Sequence, residues 1–296
     1  MKNLKGGVTL AQGFTANGLW SGIKKSGKPD LSLIFSKVPA VAAGVFTRNS
    51  IVAAPLVVTK QKIKNNKAQA IITNSGNANC FTGKQGLWHA EKTCDILSKL
   101  LNISSNDVLV SSTGIIGKPL PFDKIKNAAA KLVQGLSKTK ATLAAKGILT
   151  TDLATKEIAV AINIGGKKAY IGAMAKGSGM IAPNMATMLS YVTTDLAINA
   201  KMLKIALKNA CEQSFNSITI DNCMSTNDMV IVFANGMANN KMITKQGKDF
   251  NIFQKALNHI CLDLAKKIVK DGEGATKFIT VSVKGAKNYT QEKQPR

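Results

Sequence analysis

Arginine is almost missing from this chain. Of its 40 basic residues only Arg48 and Arg296 are arginines; the rest are lysines, scattered along the whole length with no dense run. Surfaces that read bases or clamp phosphates favour arginine's planar fork. Aromatic residues reach only 5%, which is poor for stacking on single strands. The net charge of +24 therefore fits a general lysine bias, or a positive field that favours a small anionic substrate. No nucleic-acid partner is expected.

Histidine is equally scarce. His89 and His259 each lie in a helix-like stretch with no partnering motif, so plain structural roles are expected. The five cysteines are odd in number and widely spaced, and no C-x-x-C occurs. Neither a disulfide framework nor a structural zinc site fits that pattern. No apolar run approaches the roughly 18 residues of a membrane span, and the N-terminus lacks the apolar stretch and cleavage site of a secretory signal. Residence in the cytoplasm, away from membranes, is expected. No strand–GxGxxG–helix arrangement exists, and Lys176 precedes its glycines where a Walker loop has them first. No metal or cofactor is expected.

What remains is an ordinary packed globular composition, with 45% apolar residues in a chain of 296. Strand-like runs at 31–36, 41–46, 68–73 and 108–110 are β-branched and apolar between turn residues. Helical spacing of apolar residues marks 87–101, 121–136, 200–212 and 250–269. Runs at 157–164 and 168–174 flank Gly165-Gly166, a hairpin signal. Further strands are predicted at 186–192, 228–233 and 277–283. This order predicts a layered α/β or α+β protein with sheet packed against helices.

The stretch 176–187, KGSGMIAPNMAT, leads from a polar glycine-rich loop towards an apolar strand. Thr187 at that boundary serves strand propensity or chemistry. In the second case its hydroxyl attacks the Ala186 carbonyl, an N-to-O acyl shift and hydrolysis follow, and Thr187 becomes a new N-terminus. Its own α-amine, with a pKa near about 8, then acts as general base. Such a nucleophile needs an oxyanion hole. SSTGIIG at 111–117 offers the Thr113 hydroxyl and backbone N–H groups made accessible by Gly114; a single donor of this kind is worth roughly 3–4 kcal/mol. A simple turn is the other reading of that motif. Asn74-Ser-Gly-Asn-Ala-Asn79 reads as a turn or as amides near a polar ligand, and 214–228 as a buried polar network or part of a site.

Taken together, NSGNAN at 74–79, SSTGIIG at 111–117, GILTTD at 147–152, AKGSGMIAPNMATML at 175–189, SFNSIT followed by STND at 214–228, and DGEGATK at 271–277 resemble the bifunctional ornithine/glutamate N-acetyltransferases of arginine biosynthesis. Order and separations agree, and DLSLIFSKVPAVAAGVFTRN at 30–49 fits as well. The resemblance implies a self-cleaving acyltransferase fold whose nucleophile is an N-terminal threonine. Cleavage between Ala186 and Thr187 yields an α segment, 1–186, and a β segment, 187–296. Thr187 then carries acetyl from N-acetylornithine to glutamate by a ping-pong route, with acetyl-CoA as a further donor in bifunctional members. Thr113 and Gly114 match the oxyanion pair. Thr150 (or its neighbour Thr151), Lys176 and Glu273 match substrate-contacting positions, Lys176 for a carboxylate and Glu273 for an amino group. The implied assembly is a heterotetramer of two α and two β chains.

The resemblance implies that the family continues past the strand expected at 277–283, and no match to it is expected after about Lys287. A fold short of part of its second half, with exposed strand edges and apolar surface, is therefore expected. An inactive relative of the family and an aminopeptidase-like amide hydrolase stand as the alternative readings.

Overall fold

A computed structural model describes residues 1–180 and 188–285. In chain order the strands are β1 (Lys2–Leu4), β2 (Phe14–Leu19), β3 (Leu31–Phe46), β4 (Lys67–Asn77), β5 (Val108–Ile115), β6 (Lys156–Ile164), β7 (Lys167–Lys176), β8 (Leu189–Thr194) and β9 (Met229–Ala234). The helices are α1 (Ala54–Lys62), α2 (Gly83–Leu101), α3 (Phe122–Gln134), α4 (Ala141–Ile148), α5 (Ala200–Glu212) and α6 (Lys248–Lys270). Among the described residues the nine strands form one sheet in the order β1-β6-β7-β8-β9-β3-β4-β5, with β2 added alongside β3.

The sheet folds over on itself at β3. The N-terminal half of β3 pairs with β4, its C-terminal half with β9, and the register shifts between Phe35 and Ala40. Sequence reading predicts two strands, 31–36 and 41–46; the chain makes one strand bent between them. The fold-over brings Met174, Leu189, Tyr191, Met229, Ile231 and Phe233 against Ile34, Ala42, Ile71 and Leu109 in a shared core. The Tyr191 hydroxyl closes this layer by bonding Thr73 Oγ1 at 2.8 Å and Ser111 Oγ at 2.5 Å. The alternate residues of β6–β9 face α5 and α6, and those of β3–β5 face α2 and α3. The result is helix, sheet, sheet, helix: each strand has two faces to bury, and folding the sheet buries both. Being buried on both sides, β9 reads as the unbroken apolar run Met-Val-Ile-Val-Phe-Ala.

The layers touch so closely in places that only glycine fits. A Cβ on Gly18 in β2 would lie 2.2 Å from the carbonyl oxygen of Leu143 in α4. The neighbour is helix backbone, so Gly18→Ala is expected to cost about 1–3 kcal/mol, read as a fall of several degrees in Tm. An unchanged melting curve would count against this close approach.

Most elements lie where the sequence puts them, and some do not. Residues 277–283 form no strand: Ile279 and Val281 are 76% and 83% exposed, and β pattern alone makes no ladder without a neighbour to pair with. The predicted 74–79 turn is partly strand, since β4 runs to Asn77 beside β5. The strand expected at 186–192 begins at Leu189, and Ala186 and Thr187 fall outside the described residues. His89 is buried and stacks on Phe122 with ring centroids 4.9 Å apart, while His259 Nε2 pairs with Asn3 Oδ1 at 3.0 Å. Among the described residues no helix is long and apolar enough to cross a membrane.

Candidate active site

The two halves of the folded sheet open on a cavity of about 680 Å³. Strand ends and the loops beside them bring Gly76, Thr113, Gly114, Thr150, Thr151, Lys176, Asn227 and Glu273 to its wall. Every described site residue expected from the sequence is thus gathered in one place, from positions up to 160 residues apart (113 to 273).

Thr113 and Gly114 end β5, which runs parallel to β4 with Gly76 opposite Gly114. Gly114 has φ +130°, and a Cβ there would lie 2.4 Å from the backbone carbon of Gly76. Glycine is therefore required at this crossing, and it leaves the backbone bare at the cavity wall. The Thr113 hydroxyl oxygen accepts a hydrogen bond from Lys176 Nζ at 3.1 Å. Its own hydrogen stays available for an acceptor in the cavity.

Lys176 closes β7 opposite Leu189, the first residue of β8. The chain between them includes Ala186 and Thr187, so sheet pairing fixes the residues on either side of the proposed cleavage segment, Lys176 before it and Leu189 after it. Lys176 is 3% exposed and forms no ion pair among the described residues. Burial lowers its affinity for a proton, while the charges of Asp152 and Asp228 pull the other way. Asp228, just before β9, binds the Met188 N–H through Oδ1 at 3.1 Å, and Oδ2 is buried with no close hydrogen-bond partner among the described residues. Burial pushes this carboxyl well up, against the opposing pull of Lys176. Removal of a charge from water explains both directions.

Thr150 and Thr151 sit on a loop held by Asp152. Asp152 accepts from the Thr150 N–H at 3.1 Å, the Gly177 N–H at 2.7 Å and Lys156 Nζ at 2.7 Å. Lys156 also reaches Asp271 at 2.5 Å, and Asp271 takes the Leu153 N–H at 3.1 Å. Lys156 thereby ties the threonine loop to the end of α6. Two residues on, Glu273 donates its N–H to Ser178 O at 2.7 Å, and its carboxylate lies against Gly179. Thr151 Oγ1 and Ser178 Oγ meet at 2.7 Å. Both threonines line the cavity, and so does Glu273.

The asparagines of 74–79 turn their amides inward. Asn74 bonds Asn77 O and Ser112, Asn77 bonds Lys118 O and Pro119 O, and Asn79 bonds Gly86 O. They build the wall, and Gly76 and Ala78 face the cavity between them. From the 214–228 stretch, Asp221, Ser225, Thr226 and Asn227 reach the wall. Sequence reading misses Lys24 and the Lys156 cluster. Lys24 lies in a lysine-rich polar stretch without pattern, and Asp152 and Asp271 stand inside GILTTD and DGEGATK without a sign of their pairing.

A profile of the ArgJ family matches residues 15–294, past Lys287, where the match was expected to end. The arginine biosynthesis bifunctional protein ArgJ of Gloeobacter violaceus is 45% identical over 293 residues, covering 98% of this chain and 72% of that protein. The crystal structure of ornithine acetyltransferase from Mycobacterium tuberculosis, complexed with ornithine, is 37% identical with a TM-score of 0.58, covering 62% of this chain and 97% of that one. An L-aminopeptidase D-Ala-esterase/amidase from Ochrobactrum anthropi, described as a variant of the Ntn hydrolase fold, is 12% identical with a TM-score of 0.55 over 91% of this chain and 88% of its own, a likeness of fold alone. Sequence and fold together make this chain a member of the ArgJ family, the N-acetyltransferases of arginine biosynthesis.

Proposed function

We propose that the protein transfers an acetyl group from N2-acetyl-L-ornithine to L-glutamate through an ester on Thr187, after cutting its own chain between Ala186 and Thr187. The observation that carries this reading is the junction of Thr113, Gly114 and Lys176 at one cavity, with Lys176 paired to the strand that follows Thr187. In the acyl-transfer step the Thr187 hydroxyl gives its proton to the Thr187 α-amine and attacks the acetyl carbonyl. The tetrahedral oxyanion is met by the Thr113 hydroxyl and the Gly114 N–H. The C–N bond to ornithine breaks, and the departing nitrogen takes the proton back. Glutamate's amine then attacks the ester and restores the free hydroxyl. Splitting one acyl transfer into two lowers each barrier. Lys176 holds the α-carboxylate that donor and acceptor share, Glu273 attracts an amino group, and Thr150 or Thr151 offers a hydroxyl to the amino-acid backbone.

Residues 1–186 and 187–296 are the α and β segments of this reading, in an assembly of two of each, working in the cytoplasm without a cofactor. Acetyl-CoA is the further donor it allows. The test is the intact mass of the protein after mixing with N-acetylornithine. The fragment beginning at Thr187 is expected to gain one acetyl group and to lose it when glutamate is added. No gain in mass would sink the proposal, and acetate released without glutamate would favour an amide hydrolase.

A further inference from the structure

The cavity holds a lysine that the roles above leave unused. Lys24 lines it together with Gly76, Thr113, Thr150 and Lys176. The stem of Lys24 packs over Gly76, where an added Cβ would come within 3.1 Å of its Cγ. Its backbone N–H is fixed by Asp30 Oδ2 at 2.9 Å. Its Nζ donates to the carbonyls of Pro29 at 2.8 Å and Leu149 at 2.6 Å. An ammonium has three hydrogens, so one donor is left over on a group at the cavity wall. No carboxylate among the described residues forms an ion pair with it.

Glutamate brings two carboxylates to this cavity, and Lys176 accounts for one. We infer that Lys24 receives the side-chain carboxylate of the acceptor and so selects a dicarboxylic amino acid over its neutral amide. This rests on the acetyl-transfer reading above. The two carbonyl bonds hold the ammonium in place before substrate arrives, so little freedom is lost on binding. The same bonds tie Lys24 to Leu149, one residue before Thr150. The donor's side chain ends in an ammonium and gains nothing from Lys24.

Burial brings the Lys24 ammonium down to about 8; Asp30 and Asp152 act to raise it, and Lys176 and Lys28 lower it further. Below that value Lys24 is charged and grips a carboxylate. Above it the charge is lost, so glutamate binding weakens as pH passes through about 8.

The experiment is steady-state acetyl transfer by the full chain with glutamate and with glutamine as acceptors. Wild type is compared with Lys24→Met and Lys24→Arg, after intact mass confirms that all three are cut alike. Lys24→Met is expected to lower the glutamate-over-glutamine ratio of kcat/KM about tenfold, through KM for glutamate. KM for N-acetylornithine should stay within about twofold, as the donor offers Lys24 no anion. The rise of glutamate KM above pH 8 should be smaller in Lys24→Met than in wild type, and Lys24→Arg should recover part of the ratio. Equal changes for glutamate, glutamine and N-acetylornithine would overturn the inference and leave Lys24 as a strut for the Leu149 loop. No change in any of them would overturn it too. A wild-type protein that transfers no acetyl group at all would overturn the acetyl-transfer reading and this one with it.

Discussion

Thr187→Ala is expected to remain a single chain of 296 residues and to transfer acetyl groups about 10⁴-fold more slowly than wild type, or worse. Wild type is expected to separate into residues 1–186 and 187–296. The effect is large because, on the proposed function, the same hydroxyl does two things: it opens the Ala186–Thr187 bond and carries the acetyl group. An oxyanion hole without a nucleophile still binds substrate and leaves only a small residual rate. Thr187→Ser keeps a hydroxyl at the same Cβ and should still cut. Denaturing mass spectrometry reads the cleavage, and a coupled assay for N-acetylglutamate reads the transfer. A Thr187→Ala chain that is cut at the same bond would remove Thr187 from the mechanism.

The second large effect concerns stability. Lys156 is 2% exposed and bridges the carboxylates of Asp152, whose side chain is fully buried, and Asp271, whose side chain is 11% exposed. Lys156→Met keeps the stem's bulk but strands two carboxylates, and breaking a buried pair in this way costs about 3–5 kcal/mol. Burial alone would raise the Asp152 carboxyl, yet the charges of Lys176 and Lys156 and the hydrogen bonds from Lys156 and Gly177 hold it below its ordinary value. A depressed carboxylate contributes stability above its unfolded-state pKa and loses it as pH falls through the folded one. Removing Lys156 removes much of that contribution and leaves the carboxylates better off protonated. The gap in Tm between wild type and Lys156→Met should therefore be widest near neutral pH and narrow as pH falls into the carboxylate range. A gap that does not change with pH would mean that lost packing, not charge, dominates. Because Asp152 also holds the Thr150 and Gly177 amides, the variant should lose activity before it loses its fold.

Periodicity locates the helices well. The α5 segment is legible because Met202, Ala206 and Ala210 fall on one stripe and pack into one core. The hairpin of β6 and β7 is legible from Gly165 and Gly166, which both adopt positive φ at the turn. By contrast α1 is not: Ala-Pro-Leu-Val-Val-Thr carries strand-like residues, and packing against α2 and β5 makes it a helix. The 277–283 run misleads the other way, since alternation is a statement about faces and not about having a neighbour to bond.

The site shows the same division. Thr113 and Gly114 are candidates from a local motif of small polar residues beside a glycine, while Thr150, Lys176 and Glu273 are candidates only through the family resemblance; one cavity gathers all five. That they share one cavity is not local. It depends on β3 bending so that two halves of a sheet lie face to face, and on Lys156 tying the 150 loop to the end of α6. The use of Lys24 is invisible for a similar reason, because one lysine among 38 gains meaning only from the carbonyls around its ammonium. Sequence by itself determined which residues can react, since hydroxyls, amines and bare glycine backbone are properties of the residue. Only the tertiary structure decided which of them meet, because burial, distance and the state of a proton belong to the surroundings of a residue.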